Sequence, residues 1–459
     1  MRDKQWFNGK NVLVIGLAKS GMAAAKVLKR LGARVTVNEA KDLNGSQEEK
    51  ELQELGIRLL SGGHPLNIVD EGVDYVVKNP GIRYDTPIVK AAVDRNLPVV
   101  TEIELADIVC EGEIAAITGS NGKTTTTMLV YEMLQSSSVP SYVAGNIGKV
   151  ACEVVANVQS NEVMVTEVSS FQLKGTETFH PRTAVLLNIF DAHLDYHGSR
   201  EDYERSKAKI IANMGPEDTV VYNAEDPVVV EMVEHSRANL IPFSLNGRTK
   251  NGAYIENGFF CYQGEQILPV HKAALPGRHN QENMLAAMAA AVSHGAALAA
   301  VEDVLLHFDG VPHRLQFIGS FFNREVYNDS KSTNILSTQK AVEAFQAPVI
   351  LLAGGLDRGN SFDDLIPSLK HVKAAVFYGE TKGKLGEAAM AAGVSEWTKT
   401  ETLEEAVREA FQFSGEKDVL LLSPACASWD QFKTFEERGH RFIQAVENIQ
   451  LSHLKTDTS

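Results

Sequence analysis

Residues 113–134 read EIAAITGSNGKTTTTMLVYEML: a β-branched apolar run, a glycine loop and a helical pattern in direct succession. A strand that passes straight into a helix through such a loop belongs in an open parallel sheet covered by crossover helices, which commits the middle of the chain to an α/β fold. Gly119 and Gly122 permit a loop whose N–H groups wrap phosphate oxygens, Lys123 neutralises the terminal phosphates, and Thr124 offers a hydroxyl to Mg²⁺. Ser120, Asn121 and Thr125 complete the stretch expected to hold a nucleoside triphosphate. A full Walker pattern would carry Gly at position 117, where this chain has Ile117, so the motif is a shortened variant. A plain glycine turn is the alternative reading.

The same alternation runs before and after it. A chain of 459 residues has room for two to four domains, and the texture breaks near residues 103 and 311, so we expect units at 1–103, 104–310 and 311–459. In the first, NVLVIG, GMAAAKVLKRLG, ARVTVNE, KELQELG and DYVVKNPG alternate strand and helix as a parallel sheet requires. The loop GLAKSG, Gly16 to Gly21, opens the first helix and aims backbone N–H groups at an anion. It is not a dinucleotide fingerprint: Ala18 breaks G-x-G-x-x-G, and Glu39 is the sole echo of an acidic ribose partner. A redox cofactor, another phosphate-bearing ligand and a turn without ligand stay open there. The last third, with VYNDSKSTN, APVILLAGGLDRG, AAVFYG and VLLLSPACASWDQF, is a further α/β unit.

A net charge of −15 provides no global field for nucleic acid or an anionic membrane face, although a local basic pocket still suits a small anion. The start, MRDKQWFNGKNVLVIG, has no apolar leader, so a cytoplasmic protein is expected. The Ala-rich stretch at 284–300 is interrupted by Ser293, His294 and Gly295 and reads as a buried helix rather than a membrane span. Cys110, Cys152, Cys261 and Cys426 form no C-x-x-C pair, which fits reduced thiols rather than a zinc knuckle or a disulfide framework. Beyond the central loop, VMVTEVSSFQL ends in Glu167, Ser169 and Ser170, and TAVLLNIFDAHLDYHG ends in Asp191, His193, Asp195 and His197. Ligands gather beyond the carboxyl ends of strands in such sheets. On spacing alone the histidines allow no metal, Mg²⁺ or zinc; the phosphate loop upstream argues for the hard ion over zinc.

Taken in order, GSNGKTTTT, AGNIG, TEVSSFQL, NIFDAHLDYHGSREDYERSKAKI, LPGRHNQEN, VPHRLQ, NDSKSTN and SPACASWDQF resemble the Mur ligase family, ATP-dependent amide-forming enzymes that build the peptide stem of bacterial cell-wall precursors. The resemblance covers the whole chain, and SSFQL with SPACAS-x-DQF is similar to the D-glutamate-adding member. It implies three domains: a Rossmann-like one for a UDP-sugar, a central P-loop ATPase, and a Rossmann-like C-terminal domain that closes over the site. It also implies a reaction, in which ATP phosphorylates the carboxylate of UDP-N-acetylmuramoyl-L-alanine and the amine of D-glutamate displaces phosphate from the acyl phosphate. The partners implied are these small molecules alone, with no nucleic acid, no stable membrane association and a monomeric chain.

By that resemblance Lys123, His193 and Lys207 carry catalysis, and Thr124, Glu167, His193 and a carbamoylated Lys207 hold two Mg²⁺ ions. Lys209 is the competing lysine, facing another way on the same helix. Asn283, Arg314 and Asp329 join the loop around ATP, at adenine, phosphate and ribose, with Asn280 suited to a plain N-cap. The UDP-sugar falls to Gly16, Ser20, Gly21, Asn38, Glu39, Asn146, Ser169 and Gln172. D-Glutamate, with two carboxylates, needs fixed donors and a cation, and the resemblance assigns Lys331, Thr333, Arg358 and Ser428, with Trp429 and Phe435 as walls. There are two departures. Arg358 stands where the D-glutamate enzymes often carry Lys, and Asn38-Glu39 stands where some relatives have Asp-Thr. Polyglutamate addition to folate is the alternative within the family; a nucleotide-dependent switch is the alternative outside it.

Overall fold

Three open sheets, each wound by helices, organise the chain. The structure, a computed structural model, describes residues 4–190, 194–247, 249 and 251–456. The first sheet is wholly parallel, in the order Arg58–Ser61, Arg34–Glu39, Asn11–Ile15, Tyr75–Lys78, Val99–Val100. The chain enters at the middle strand, winds to one edge, then returns to the other side. The carboxyl ends of Asn11–Ile15 and Tyr75–Lys78 therefore flank the crevice where open α/β sheets bind ligands.

The second sheet runs Ser141–Gly145, Val163–Glu167, Glu113–Thr118, Thr183–Leu186, Thr219–Asn223, Asn239–Ser244, Ala253–Glu256, all parallel. Ile114 to Thr118 are continuously buried, as befits a strand covered on both faces. Two further strands, Phe259–Tyr262 and Glu265–Pro269, extend it in the antiparallel sense. The first of these hairpins turns at Asn257-Gly258, both at positive φ, which is the Asn-Gly signature of a tight hairpin. Our reading of the sequence placed no strands here.

A break near residue 103 is not a break in packing. One apolar core takes in Leu28 and Val35 from the first sheet's layer, Ile103 and Ala106 from the connecting helix Glu102–Val109, and Cys152 and Met164 from the second sheet's layer. The chain accordingly divides into two compact units, Met1–Lys272 with Glu282–Leu306, and Ala273–Gln281 with His307–Ser459. The Ala-rich stretch forms the end of the helix Arg278–Ser293, buried from Met284 to Ala291, and the start of a separate helix, Leu298–His307. Among the described residues no helix is long and apolar enough to cross a membrane. All four cysteines are free.

The second unit holds a six-stranded sheet ordered Gln316–Phe321, Arg324–Asn328, Val419–Leu422, Val349–Gly354, Val372–Tyr378, Glu396–Lys399. The first pair is antiparallel and the rest parallel, with an apolar core on each face.

Candidate functional site

The strand Glu113–Thr118 ends between its neighbours Val163–Glu167 and Thr183–Leu186, and the glycine loop crosses their carboxyl ends into the helix Lys123–Ser136. Gly122 precedes that helix at φ 84°, and a Cβ there would strike Asn283 Oδ1, so the loop needs glycine on both counts. This puts Asn283 of the Arg278–Ser293 helix against the loop. The loop is pinned from the next strand's end. Asn188 Oδ1 accepts from Asn121 N at 2.9 Å, Ser120 N donates to Asn188 O at 2.8 Å, and the Tyr203 hydroxyl lies 2.7 Å from Ser120 Oγ. Neither Asn188 nor Tyr203 was singled out from sequence, because nothing local marks a partner so far along the chain.

Within this cradle Lys123 Nζ donates to the loop's own carbonyls, Gly119 O at 2.7 Å and Ser120 O at 2.9 Å. Thr124 Oγ1 donates to Glu167 Oε2 at 2.6 Å, and Asn146 Nδ2 donates to Glu167 Oε1 at 2.8 Å. Thr124 and Glu167 are both buried, so a hydroxyl and a carboxylate converge on one protected point beside the helix N-terminus. Oxygen donors of this kind suit Mg²⁺ rather than a soft metal.

Lys207, 1% exposed, lies on the helix Arg200–Ala208 and reaches the same loop, donating to Gly119 O at 2.9 Å and Thr118 Oγ1 at 3.2 Å. Burial, and secondarily the charge of Lys123, hold its amine well below the ordinary lysine range. Lys209 points elsewhere, bonding Lys174 O and Thr176 O at 2.8 Å each. The geometry therefore separates the two competing lysines. Asp191 and His193 lie outside the described residues. His197 is spent inside the fold: its imidazole, with no exposed side-chain surface, sits 2.9 Å from Asp202 and 3.0 Å from Ser170 Oγ. Ser169 and Gln172 form a reciprocal capping box at the start of the helix Ser170–Lys174.

In the first sheet a cavity of about 660 Å³ opens beside GLAKSG, lined among others by Gly16, Lys19, Glu39, His64, Asn79 and Ile82. The helix Lys19–Arg30 starts at that loop, with Gly21 in its first turn. Ser20 Oγ accepts from Asn79 Nδ2 at 2.9 Å. Glu39 accepts from Leu17 N at 2.7 Å and Lys41 N at 3.1 Å, which holds the loop to the neighbouring strand. Asn38 is fully buried and bonds Leu60 O, Gly63 O and His64.

In the second unit the remaining candidates lie on loops at the carboxyl ends of the strands. Lys331 Nζ sits 3.8 Å from the Phe435 ring centroid, and the Arg358 guanidinium 5.0 Å from that of Trp429, itself 64% exposed. Thr333 N bonds Lys331 O, and Ser428 is buried. Asp329 accepts from Ser423 Oγ at 2.7 Å and Leu315 N at 3.2 Å; burial pushes its carboxyl up to about 6, against the pull of Arg314. Asn280 sits inside the first turn of its helix rather than at the cap, its amide bonding Pro276 O at 2.7 Å. Arg438, fully buried, was missed from sequence and holds three loops together: it donates to Ser330 O and Oγ, Gly354 O and Cys426 O, over 2.9–3.3 Å.

Family comparison agrees with this layout. The Mur ligase MurD-like N-terminal domain matches residues 10–101, the Mur ligase middle domain 117–291, and the Mur ligase glutamate ligase domain 313–426. The chain is 55% identical over 450 residues to the UDP-N-acetylmuramoylalanine–D-glutamate ligase of Halalkalibacterium halodurans, covering 98% of this chain and 100% of that one. The chain belongs to the Mur ligase family. It is 52% identical to the like-named ligase of Geobacillus kaustophilus, over 98% of this chain and 100% of that one. Among solved structures, a UDP-N-acetylmuramate-alanine ligase of Thermotoga maritima aligns with TM-score 0.59 at 21% identity, over 95% and 99% of the two chains. A MurF ligase of the same organism, in complex with ADP, aligns with TM-score 0.57 at 15% identity, over 98% and 97%. At these identities the likeness is one of fold. The three Mur ligase domains coincide with the three sheets, and this Mur ligase is ATP-dependent, as its family is.

Proposed function

We propose that this Mur ligase joins D-glutamate to UDP-N-acetylmuramoyl-L-alanine through an acyl phosphate, in the cytoplasmic synthesis of peptidoglycan precursor. The observation that carries the reading is 55% identity, over 98% of the chain, to a relative named for that activity. The site supports it chemically. A carboxylate and a γ-phosphate repel each other, so their approach demands cations in a site closed to water. Lys123 leaves the carbonyls of Gly119 and Ser120 to neutralise the triphosphate, while the loop N–H groups orient it. Thr124 and Glu167 would hold Mg²⁺ through oxygen, and Asn146 donates to the other oxygen of the Glu167 carboxylate. The ion, when bound, supplies positive charge between the two anions.

Lys207 is an unusual neighbour for a cation as an ammonium. As a neutral amine it would react with CO₂ to give a carbamate, releasing one proton to solvent, and by the family resemblance that anion would serve with Glu167 and His193 as a ligand for a second Mg²⁺. The acyl phosphate then meets D-glutamate, whose carboxylates fall to Lys331, Thr333, Arg358 and Ser428, with Trp429 and Phe435 as walls. Arg314 and Asp329 serve ATP at phosphate and ribose, and the UDP-sugar takes the GLAKSG cavity. The chain works as a monomer on these small molecules. The test is phosphate release from ATP with UDP-N-acetylmuramoyl-L-alanine present. Release that depends on D-glutamate supports the reading, and equal release with L-lysine, meso-diaminopimelate or L-alanine overturns it.

A further inference from the structure

Lys78 ends the strand Tyr75–Lys78 and is 1% exposed, yet among the described residues no carboxylate bonds its ammonium. Its ammonium instead donates to Ile82 O at 2.8 Å, to Asn79 O and Pro80 O at 3.4 Å each, and to the Tyr196 hydroxyl at 3.2 Å. Tyr196 donates in turn to Pro80 O at 2.9 Å and Ile82 O at 3.2 Å. One buried cation and one phenol thus gather the carbonyls of a single loop, Asn79 to Ile82.

That loop is one wall of the nucleotide-sugar cavity. Asn79 and Ile82 line it, Asn79 Nδ2 bonds Ser20 of the facing loop, and a side chain at Gly16 would run into Ile82 and Asn79. Tyr196 belongs to the other sheet's layer. Its ring meets Phe171 edge-on at 4.4 Å, and Phe171 stacks on His197, which is bound to Asp202 on the helix that carries Lys207. Burying a charge without an ion partner is costly, and Lys78 is pushed down to about 7 by that burial and by Lys174. A stability role alone would be better met by an apolar side chain.

We propose that Lys78 and Tyr196 are positioning residues that set the Asn79–Ile82 loop for the nucleotide-sugar and tie its placement to the helix bearing Lys207. The inference rests on the reading above, in which the GLAKSG cavity takes the UDP moiety. The test is titration calorimetry of the full chain with UDP and with UDP-N-acetylmuramoyl-L-alanine, no D-glutamate present, for wild type, Tyr196→Phe and Lys78→Met, alongside melting temperature and ATP affinity. The expected result is about tenfold weaker binding of both uridine ligands in each variant, with ATP affinity little changed even where the lost donor lowers the melting temperature. The KM for the UDP-substrate should rise by a similar factor while the KM for ATP holds. Unchanged uridine affinity in the variants, or a parallel loss of ATP affinity and melting temperature, overturns the inference alone. Failure of wild type to bind UDP overturns the underlying reading as well.

Discussion

Lys123 and Lys207 meet at one carbonyl, Gly119 O, in unlike environments. Lys123 is held by the carbonyls of a loop at a helix N-terminus. Lys207 is sealed in, and burial holds its amine well below the ordinary lysine range. Replacing Lys123 by Ala should cut kcat by about a thousandfold or more, read from initial rates, while leaving the urea midpoint close to wild type because no core area is removed. Lys207→Ala should be equally inactive, and intact-mass analysis of wild type in bicarbonate should show an added carbamoyl group that the variant lacks. Lys209→Met makes the contrast. It should keep kcat near wild type and lose about 1 kcal/mol of stability, since two partly buried carbonyls lose their donor. Asp329 titrates near 6 in the fold and near 4 in the unfolded chain, so the folded state holds more protons and stability falls as pH rises from about 4 to 6. Asp329→Asn should flatten that slope in urea midpoints measured across the window. The spacing of GSNGKTT made Lys123 and Thr124 readable from the chain alone. The residues packed against the rest of that loop, Asn188 at Asn121, Tyr203 at Ser120 and Asn283 at Gly122, were hidden or half-hidden because their roles are created by distant elements coming together.

Strands and helices were read best where one period dominates, as in the first sheet and the loop-to-helix passage of the second. The two antiparallel strands after residue 253 escaped because NGAYIENGFFCYQGEQILP mixes polar and aromatic residues, although its Asn-Gly turn was a visible signal. Caps competed with ligands for the same residue types: Ser169 and Gln172 close a capping box, a use that a motif match does not reveal. Arg438 shows the same limit from the other side. An arginine in a helical run reads as a solvated face, yet here it fastens three strand-end loops of the third sheet. Arg438→Met should cost about 3–5 kcal/mol in urea unfolding, because it leaves several buried acceptors without a donor. It should also raise the KM for D-glutamate about tenfold while sparing that for UDP-N-acetylmuramoyl-L-alanine.

At the scale of the molecule, three domains were expected and three sheets are present, but packing draws its line elsewhere. The first two sheets share an apolar core, while the third has cores of its own. Hydrophobic periodicity announces sheets, not which helices will merge their buried faces, so this division could not be read from the chain. Calorimetric unfolding should show two transitions rather than three, and UDP should raise only the one belonging to Met1–Lys272 with Glu282–Leu306. The joint core also limits how such a ligase can be recombined. A first domain exchanged between two homologues at residue 103 would arrive without the surfaces that bury Leu28 and Val35, so a viable graft must carry the helices Glu102–Val109 and Ala151–Val154 with it. In this fold the unit that can be inherited intact is larger than the unit that binds a ligand.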